Sequence, residues 1–340
     1  IMAMASGEHW TRRTVISILC RVGDPKAIPC IVDALGDPGR KIRSMAMNCV
    51  VKLGQGSEEL KKLLIEAAEG DNPRLRANAI KALRLVDDKG SEPLEIALKS
   101  LEDVDPKVRQ AGIKALEKIG GQQSIDGLKR ALDDADRNVA INAAFALSDM
   151  EDEAQEILKE ALQDDSVQKA RCAAHALAEV GDNSGINLVI DALNDNGWEM
   201  WCTPFTLAES GDKRAAEALL NLVESSLHTE NLPSQATLAV KALGKCTDER
   251  AADMLRTVLY EKRDRKFRRA AVMALLNIGT EKAVDILLGA LVSEDGNLRQ
   301  HARNALIKTG PEILPRLKTL AEQVEGKPRR SVESLLQAIM

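Results

Sequence analysis

DPKVRQAGIKALEKIGGQQSIDGLKRAL, residues Asp105 to Leu132, reads as two amphipathic helices joined by a glycine turn. Asp105 can accept hydrogen bonds from the free N–H groups of a helix start. Pro106 suits the first turn because it has no N–H to leave unsatisfied. Val108, Ala111, Ala115, Leu116 and Ile119 then recur at spacings of three and four, which puts them on one helical face. Gly120-Gly121 offers the positive-φ backbone that ends a helix. Ile125, Leu128, Ala131 and Leu132 form the apolar face of a second helix. Two helices this short cannot bury enough surface to fold alone, so the unit must stack on copies of itself.

The copies are present. The Ala115-Leu116 pair recurs as Ile18-Leu19, Cys49-Val50, Ala82-Leu83, Ala146-Leu147, Ala176-Leu177, Thr206-Leu207, Ala242-Leu243, Ala274-Leu275 and Ala305-Leu306. Successive second members lie 31, 33, 33, 31, 30, 30, 36, 32 and 31 residues apart. A period in this range is the signature of a solenoid. The small residue lets neighbouring helices approach, and the large one fills the layer between them. The fold expected is all-α, a right-handed α-solenoid of about ten helical hairpins. Boundaries follow: residues 1–9 as a tag or disordered N-terminus, 10–326 as one repeat array, and 327–340 as a C-terminal helix covering the last repeat.

The pattern DPxVRxxAxxALxxIG, followed by a helix ending in Ala-Leu, resembles the HEAT-like repeats named after phycobilisome lyase subunits. The resemblance implies an α-solenoid. It does not imply one activity, because such repeats serve many purposes.

Composition sets bounds. Aromatic residues are 2% of the 340, so the core must be built from Ala, Leu, Ile and Val. No apolar run approaches the ~20 residues that span a bilayer. Of the six cysteines, Cys49, Cys172, Cys202 and Cys246 stand where other repeats carry Ala, Leu or Ile. They read as small core residues, and unpaired buried thiols point to a reducing compartment, the cytoplasm. No H-E-x-x-H, P-loop or G-x-S-x-G motif is present. Deoxyhypusine hydroxylases of this build hold iron with His-Glu pairs, and here none of His9, His175, His228 and His301 is followed by Glu. No catalytic residue, metal or cofactor is therefore expected.

Three features depart from a uniform array. An arginine recurs in the first helix at Arg12, Arg43, Arg76, Arg109, Arg268 and Arg299. It is read as a structural ladder, paired with carboxylates that open the following helices, such as Asp24, Asp182, Asp212 and Asp248. In repeats five to eight Ala140, Ala170, Met200 and Ala236 take its place. Charge is also uneven along the chain. Residues 133–165 hold eleven carboxylates against Arg137 and Lys159, whereas 241–330 hold 19 Lys and Arg against 12 Asp and Glu. The net charge of -5 hides this polarity.

Repeat seven is irregular. Trp198, Trp201 and Phe205 cluster around Pro204, which should break the helix, and Ser225 to Pro233 is expected as an extended loop. Clustered aromatics beside a broken helix suit a contact site. The densest basic run, Lys262, Arg263, Arg265, Lys266, Arg268 and Arg269, could meet phosphate or an acidic protein.

The reading that follows is a non-catalytic scaffold or adaptor that binds another protein on its concave face. Second helices are expected to line that face, offering Asp33, Arg130, Asp191, Asn221 and Arg256. Such a polar surface fits a large partner better than a small-molecule ligand. The alternatives are a bilin lyase or chromophore chaperone, implied by the resemblance alone, and a nucleic-acid-binding repeat protein. The acidic overall balance counts against the latter.

Overall fold

The computed structural model describes residues 7–54, 57–86, 91–150, 152–195, 202–229, 234–261 and 264–340. The described residues form helices and connecting turns, with no strand among them. Contacts divide the chain into two compact units, Ile1–Val180 and Gly181–Met340. Unit one holds α1 (His9–Val22), α2 (Ile28–Asp33), α3 (Arg40–Leu53), α4 (Glu58–Ala68), α5 (Pro73–Val86), α6 (Ser91–Ser100), α7 (Pro106–Ile119), α8 (Gln122–Ala131), α9 (Arg137–Ser148), α10 (Asp152–Ala161) and α11 (Val167–Glu179). Unit two holds α12 (Ile186–Asn194), α13 (Thr203–Glu209), α14 (Lys213–Leu227), α15 (Ser234–Ala242), α16 (Arg250–Glu261), α17 (Arg265–Ile278), α18 (Glu281–Leu291), α19 (Gly296–Leu306), α20 (Leu314–Gln323) and α21 (Gly326–Ile339). Each unit is an α-solenoid, with the first helices of the repeats carrying odd numbers.

The repeating Ala-Leu pair does what its chemistry requires. Cys49-Val50, Ala82-Leu83, Ala115-Leu116, Ala146-Leu147, Ala176-Leu177, Thr206-Leu207, Ala242-Leu243, Ala274-Leu275 and Ala305-Leu306 are all buried. The exception is Ile18-Leu19 on α1, where Ile18 is 51% exposed. That helix lies against α3 on one side of the stack.

Capping follows the sequence. Asp105 accepts from the Lys107 N–H, with Pro106 in the first turn of α7. Gly120 and Gly121 take φ of 72° and 78°, but with extended ψ rather than a left-handed helical turn. That backbone is open essentially to glycine alone.

Packing departs from the sequence reading in its phase. The unit read as α7 followed by α8 is less closely packed than α6 against α7, or α4 against α5. Gly112 on α7 allows this, since a Cβ there would sit 2.9 Å from the Ala97 carbonyl oxygen of α6. In unit one the first helices pack side to side in order from α1 to α11. The second helices approach each other less closely, so the layers are tightest on the first-helix side. The small residues sit on the first helices, which is what lets those helices approach.

The cysteine reading is corrected in one place. Cys20 of α1 and Cys49 of α3 are joined as a disulfide, with Cα atoms 5.3 Å apart. Cys30, Cys172 and Cys202 are buried free thiols and Cys246 is half-buried. The argument for a reducing compartment from wholly unpaired thiols therefore loses its premise. No helix among the described residues is long and apolar enough to cross a membrane.

Candidate functional site

The arginine ladder is structural, but its partners differ from those expected. Arg76 Nε and Nη2 donate to Asp103 at 2.7 and 2.8 Å, and Arg109 donates to Asp134 at 2.7 and 2.9 Å. Arg12 pairs with Asp37 and Arg268 with Asp295 in the same way. Each acceptor lies in the turn before the next first helix. The same guanidinium reaches its own turn, as Arg76 does to the Gly70 and Asp71 carbonyls at 2.9 and 3.0 Å. Asp24, Asp182, Asp212 and Asp248 instead cap helices locally or pair with an arginine two residues on. The Asp103 pair is mutually tuned. Burial pushes the carboxyl up, but the Arg76 hydrogen bond and the Asp105 N–H outweigh it and hold it below its usual range. Hydrogen bonding to Asp103 raises Arg76.

Two ladder arginines lack the carboxylate: Arg299, which donates to the Ser293 carbonyl at 2.6 Å, and Arg43, which opens onto a site. Gly70 stands where its carboxylate would be, at the same 27-residue offset that joins Arg76 to Asp103. Arg43 instead donates to the Asp37 and Pro38 carbonyls at 2.7 and 2.8 Å. It opens a groove of about 300 Å³ across α3, α5 and α7, shared with Arg74, Asn78, Lys81, Lys107 and Lys114. Loss of hydration in this concavity, then the charges of Lys114 and Arg43, push Lys81 below the ordinary lysine range.

Unit two repeats the device on α17 and α19. A groove of about 500 Å³ gathers Arg265, Lys266, Arg269, His301 and Lys308. Burial, then Arg265 and Arg269, lower the His301 imidazole. Of the basic run, Arg265, Lys266 and Arg269 therefore share one surface, while Lys262 and Arg263 lie outside the described residues. Arg268 belongs to the ladder.

A third concavity, of about 880 Å³, lies at the ends of α15 and α17 in unit two. Gly244, Cys246, Ala252 and Ile278 line it, with Lys245, Asp248, Glu249 and Lys282 also present. Lys245 also lies over the half-buried Phe205 ring, 5.6 Å from its centroid, and pairs with Glu209. Burial raises the Cys246 thiol, which keeps it protonated.

Trp198 and Trp201 lie outside the described residues. Pro204 does not kink a longer described helix. It stands in the first turn of α13, where its missing N–H costs nothing. The expected loop is shortened, since Ser225 to Leu227 continue α14 and only 230–233 fall outside the description. The second-helix candidates are all exposed: Asp33 on α2, Arg130 on α8, Asp191 on α12, Asn221 on α14 and Arg256 on α16. The acidic band is partly absorbed: Asp134 serves the ladder, Asp136 caps α9, and Asp133 and Asp164 hold Lys169.

Stacked hairpins with an Arg–Asp clamp define a helical-repeat protein. The HEAT-repeat family matches residues 2–84, 60–148, 127–200, 226–308 and 258–337, and the chain belongs to it. No curated protein matches the chain in sequence. Among solved structures it is similar to Kap95p in complex with RanGDP, at 13% identity and a TM-score of 0.53, over 99% of this chain and 55% of that one. It is also similar to human deoxyhypusine hydroxylase (22% identity, TM-score 0.33, 83% and 96% covered). A further similarity is to the CpcE and CpcF complex of phycocyanin lyase from Nostoc (20%, 0.32, 75% and 97%). These likenesses are of fold.

Proposed function

We propose that this chain is a non-catalytic adaptor that holds a protein partner at the cleft between α15 and α17. One observation carries the reading. The cleft has an apolar lining from Cys246, Ala252 and Ile278, with the charged Lys245, Asp248, Glu249 and Lys282 around it. An apolar centre ringed by polar groups is the anatomy of a protein interface. Phe205, half-buried beneath Lys245, adds an aromatic anchor beside it. Kap95p, of similar fold, binds RanGDP, which accords with a protein ligand.

The test is capture from native extract on the full chain, read by mass spectrometry and by the absorption spectrum of the same fraction. One stoichiometric protein is expected, retained by the wild type and lost by more than about tenfold with Lys245→Glu or Ile278→Ser. Equal capture by the variants, or a coloured fraction without a protein partner, would defeat the reading. Charge reversal at Asp191 and Arg256 checks the second-helix face and should leave capture unchanged.

A further inference from the structure

We propose that the groove across α3, α5 and α7 of unit one binds the phosphate backbone of a nucleic acid duplex. The site lies on a different unit from the protein cleft and does not depend on it.

The first observation is charge without a counterpart. The four first helices α1, α3, α5 and α7 carry fifteen Lys and Arg against Glu117 alone. The second helices α2, α4, α6 and α8 carry five against seven acidic residues. Ladder pairing accounts for Arg12, Arg76 and Arg109. Among the described residues no carboxylate lies within ion-pair distance of Arg74, Lys81, Lys107 or Lys114. The groove's one carboxylate, Asp105, caps α7 by accepting the Lys107 N–H at 2.8 Å, and it stands alone against Arg43, Arg74, Lys81, Lys107 and Lys114. Close packing of the first helices holds these like charges together, and Lys81 is lowered first by loss of hydration and then by the Lys114 and Arg43 charges. An external anion relieves their repulsion.

Spacing identifies a polymer rather than a single ion. Arg74 and Lys107 occupy equivalent positions on α5 and α7, and Lys81 and Lys114 follow seven residues later on the same helices. Seven residues rise about 10 Å along a helix, and neighbouring helices lie roughly 8–10 Å apart. Four cations spread over such a square exceed the reach of one phosphate and match a densely charged chain.

Lining chemistry identifies which polymer. The groove holds Arg, Lys, Asn, Gln, Pro and Ala, with Asp105 and no aromatic or large aliphatic side chain. A protein partner would find no apolar anchor there. A single strand would find no ring to stack on. A duplex backbone needs only cations and amide donors. The acidic net charge does not oppose this, because on α1, α3, α5 and α7 the only acidic residue is Glu117.

The test is fluorescence anisotropy of the full chain with a labelled 20-base-pair DNA duplex, in 50 to 200 mM salt. Competitors are the corresponding single strand, polyglutamate and phosphatidylserine vesicles. Four phosphate contacts predict a slope of log K against log salt near about -3.6, roughly a hundredfold loss of affinity across that range. Lys81→Ala with Lys114→Ala should weaken binding at least about tenfold and bring the slope to about -1.8. Both lysines are exposed, and an unchanged melting curve checks the fold. Lys62→Ala with Lys129→Ala removes the same charge from the second helices α4 and α8 and should leave affinity and slope unaltered. The proposal is overturned if no duplex binds at 50 mM salt, or if both double variants weaken binding equally. It is also overturned if polyglutamate, vesicles or the single strand compete better than unlabelled duplex.

Discussion

At the scale of the residue, one buried and one half-buried titrating group divide the acid response of this protein into separate windows. His175 on α11 is fully buried, and loss of hydration, then the Arg171 charge, lowers its pKa to about 4. Its folded value lies below the unfolded one of roughly 6.5. The unfolded chain therefore takes up a proton first, and stability falls as pH drops from about 6.5 to about 4. The loss is on the order of 3 kcal/mol, at 1.36 kcal/mol per unit. Asp103 behaves as a carboxylate stabilised in its charged form. Its contribution is complete above about pH 4 and is lost only as pH falls through the depressed folded value. Urea unfolding from pH 7 to 3 should show both limbs in the wild type. His175→Met should flatten the upper limb. Asp103→Asn should already cost about 1–3 kcal/mol at pH 7, by leaving Arg76 half-buried without its charge partner, and should lack the lower limb. A His175→Met curve superimposing on the wild type would remove the imidazole from the account. The ladder arginines were readable in the sequence as structural, but their acceptors were not. The partner aspartate caps its own turn through a neighbouring N–H, and that local role conceals the longer contact.

At the scale of the element, close approach is set by glycines that hydrophobic periodicity passes over. Gly244 ends α15 in a short tight turn of helix, and a Cβ there would lie 2.8 Å from the Ala274 Cα and 3.0 Å from its carbonyl oxygen. Those are backbone atoms of α17 and cannot rotate away. Gly244→Ala should therefore separate α15 from α17 and destabilise unit two by about 1–3 kcal/mol. It should also widen the adjacent cleft and weaken capture of the protein partner. A Gly244→Ala variant as stable as the wild type would mean that the two helices adjust freely. Helix identity was legible throughout, because the 3.6-residue period, Asp caps and Ala-Leu pairs agree. The end of α14 was not. Ser225 and Ser226 look like loop residues, yet their hydroxyls donate back to the Leu222 carbonyl, at 3.0 and 2.6 Å, and carry the helix on to Leu227.

At the scale of the whole molecule, the sequence is a one-dimensional count and the fold sorts that count sideways. Charge summed along the chain shows an acidic middle and a basic end. Sorted by helix, it shows basic first helices against mixed second helices, and the candidate groove becomes visible only in that sorting. Stability should be distributed by the same geometry, because each layer of a solenoid is held chiefly by its neighbours. α7 has first helices on both sides, α5 and α9, and buries Val108, Ile113 and Leu116 among others. α1 has α3 on one side and buries Ile16, with Ile18 and Val22 left exposed. Leu116→Ala should then cost about 2–5 kcal/mol, and Leu19→Ala under about 1 kcal/mol. Amide hydrogen exchange makes the same comparison without mutation. α1 should exchange fastest among the first helices of unit one and α7 near the slowest. Leu116→Ala should speed exchange in α5 and α9 as well as in α7, since removing one layer's filling exposes both neighbours. Uniform exchange from α1 to α11 would show instead that unit one opens as a single cooperative body, and the neighbour-by-neighbour account of the repeat would not hold.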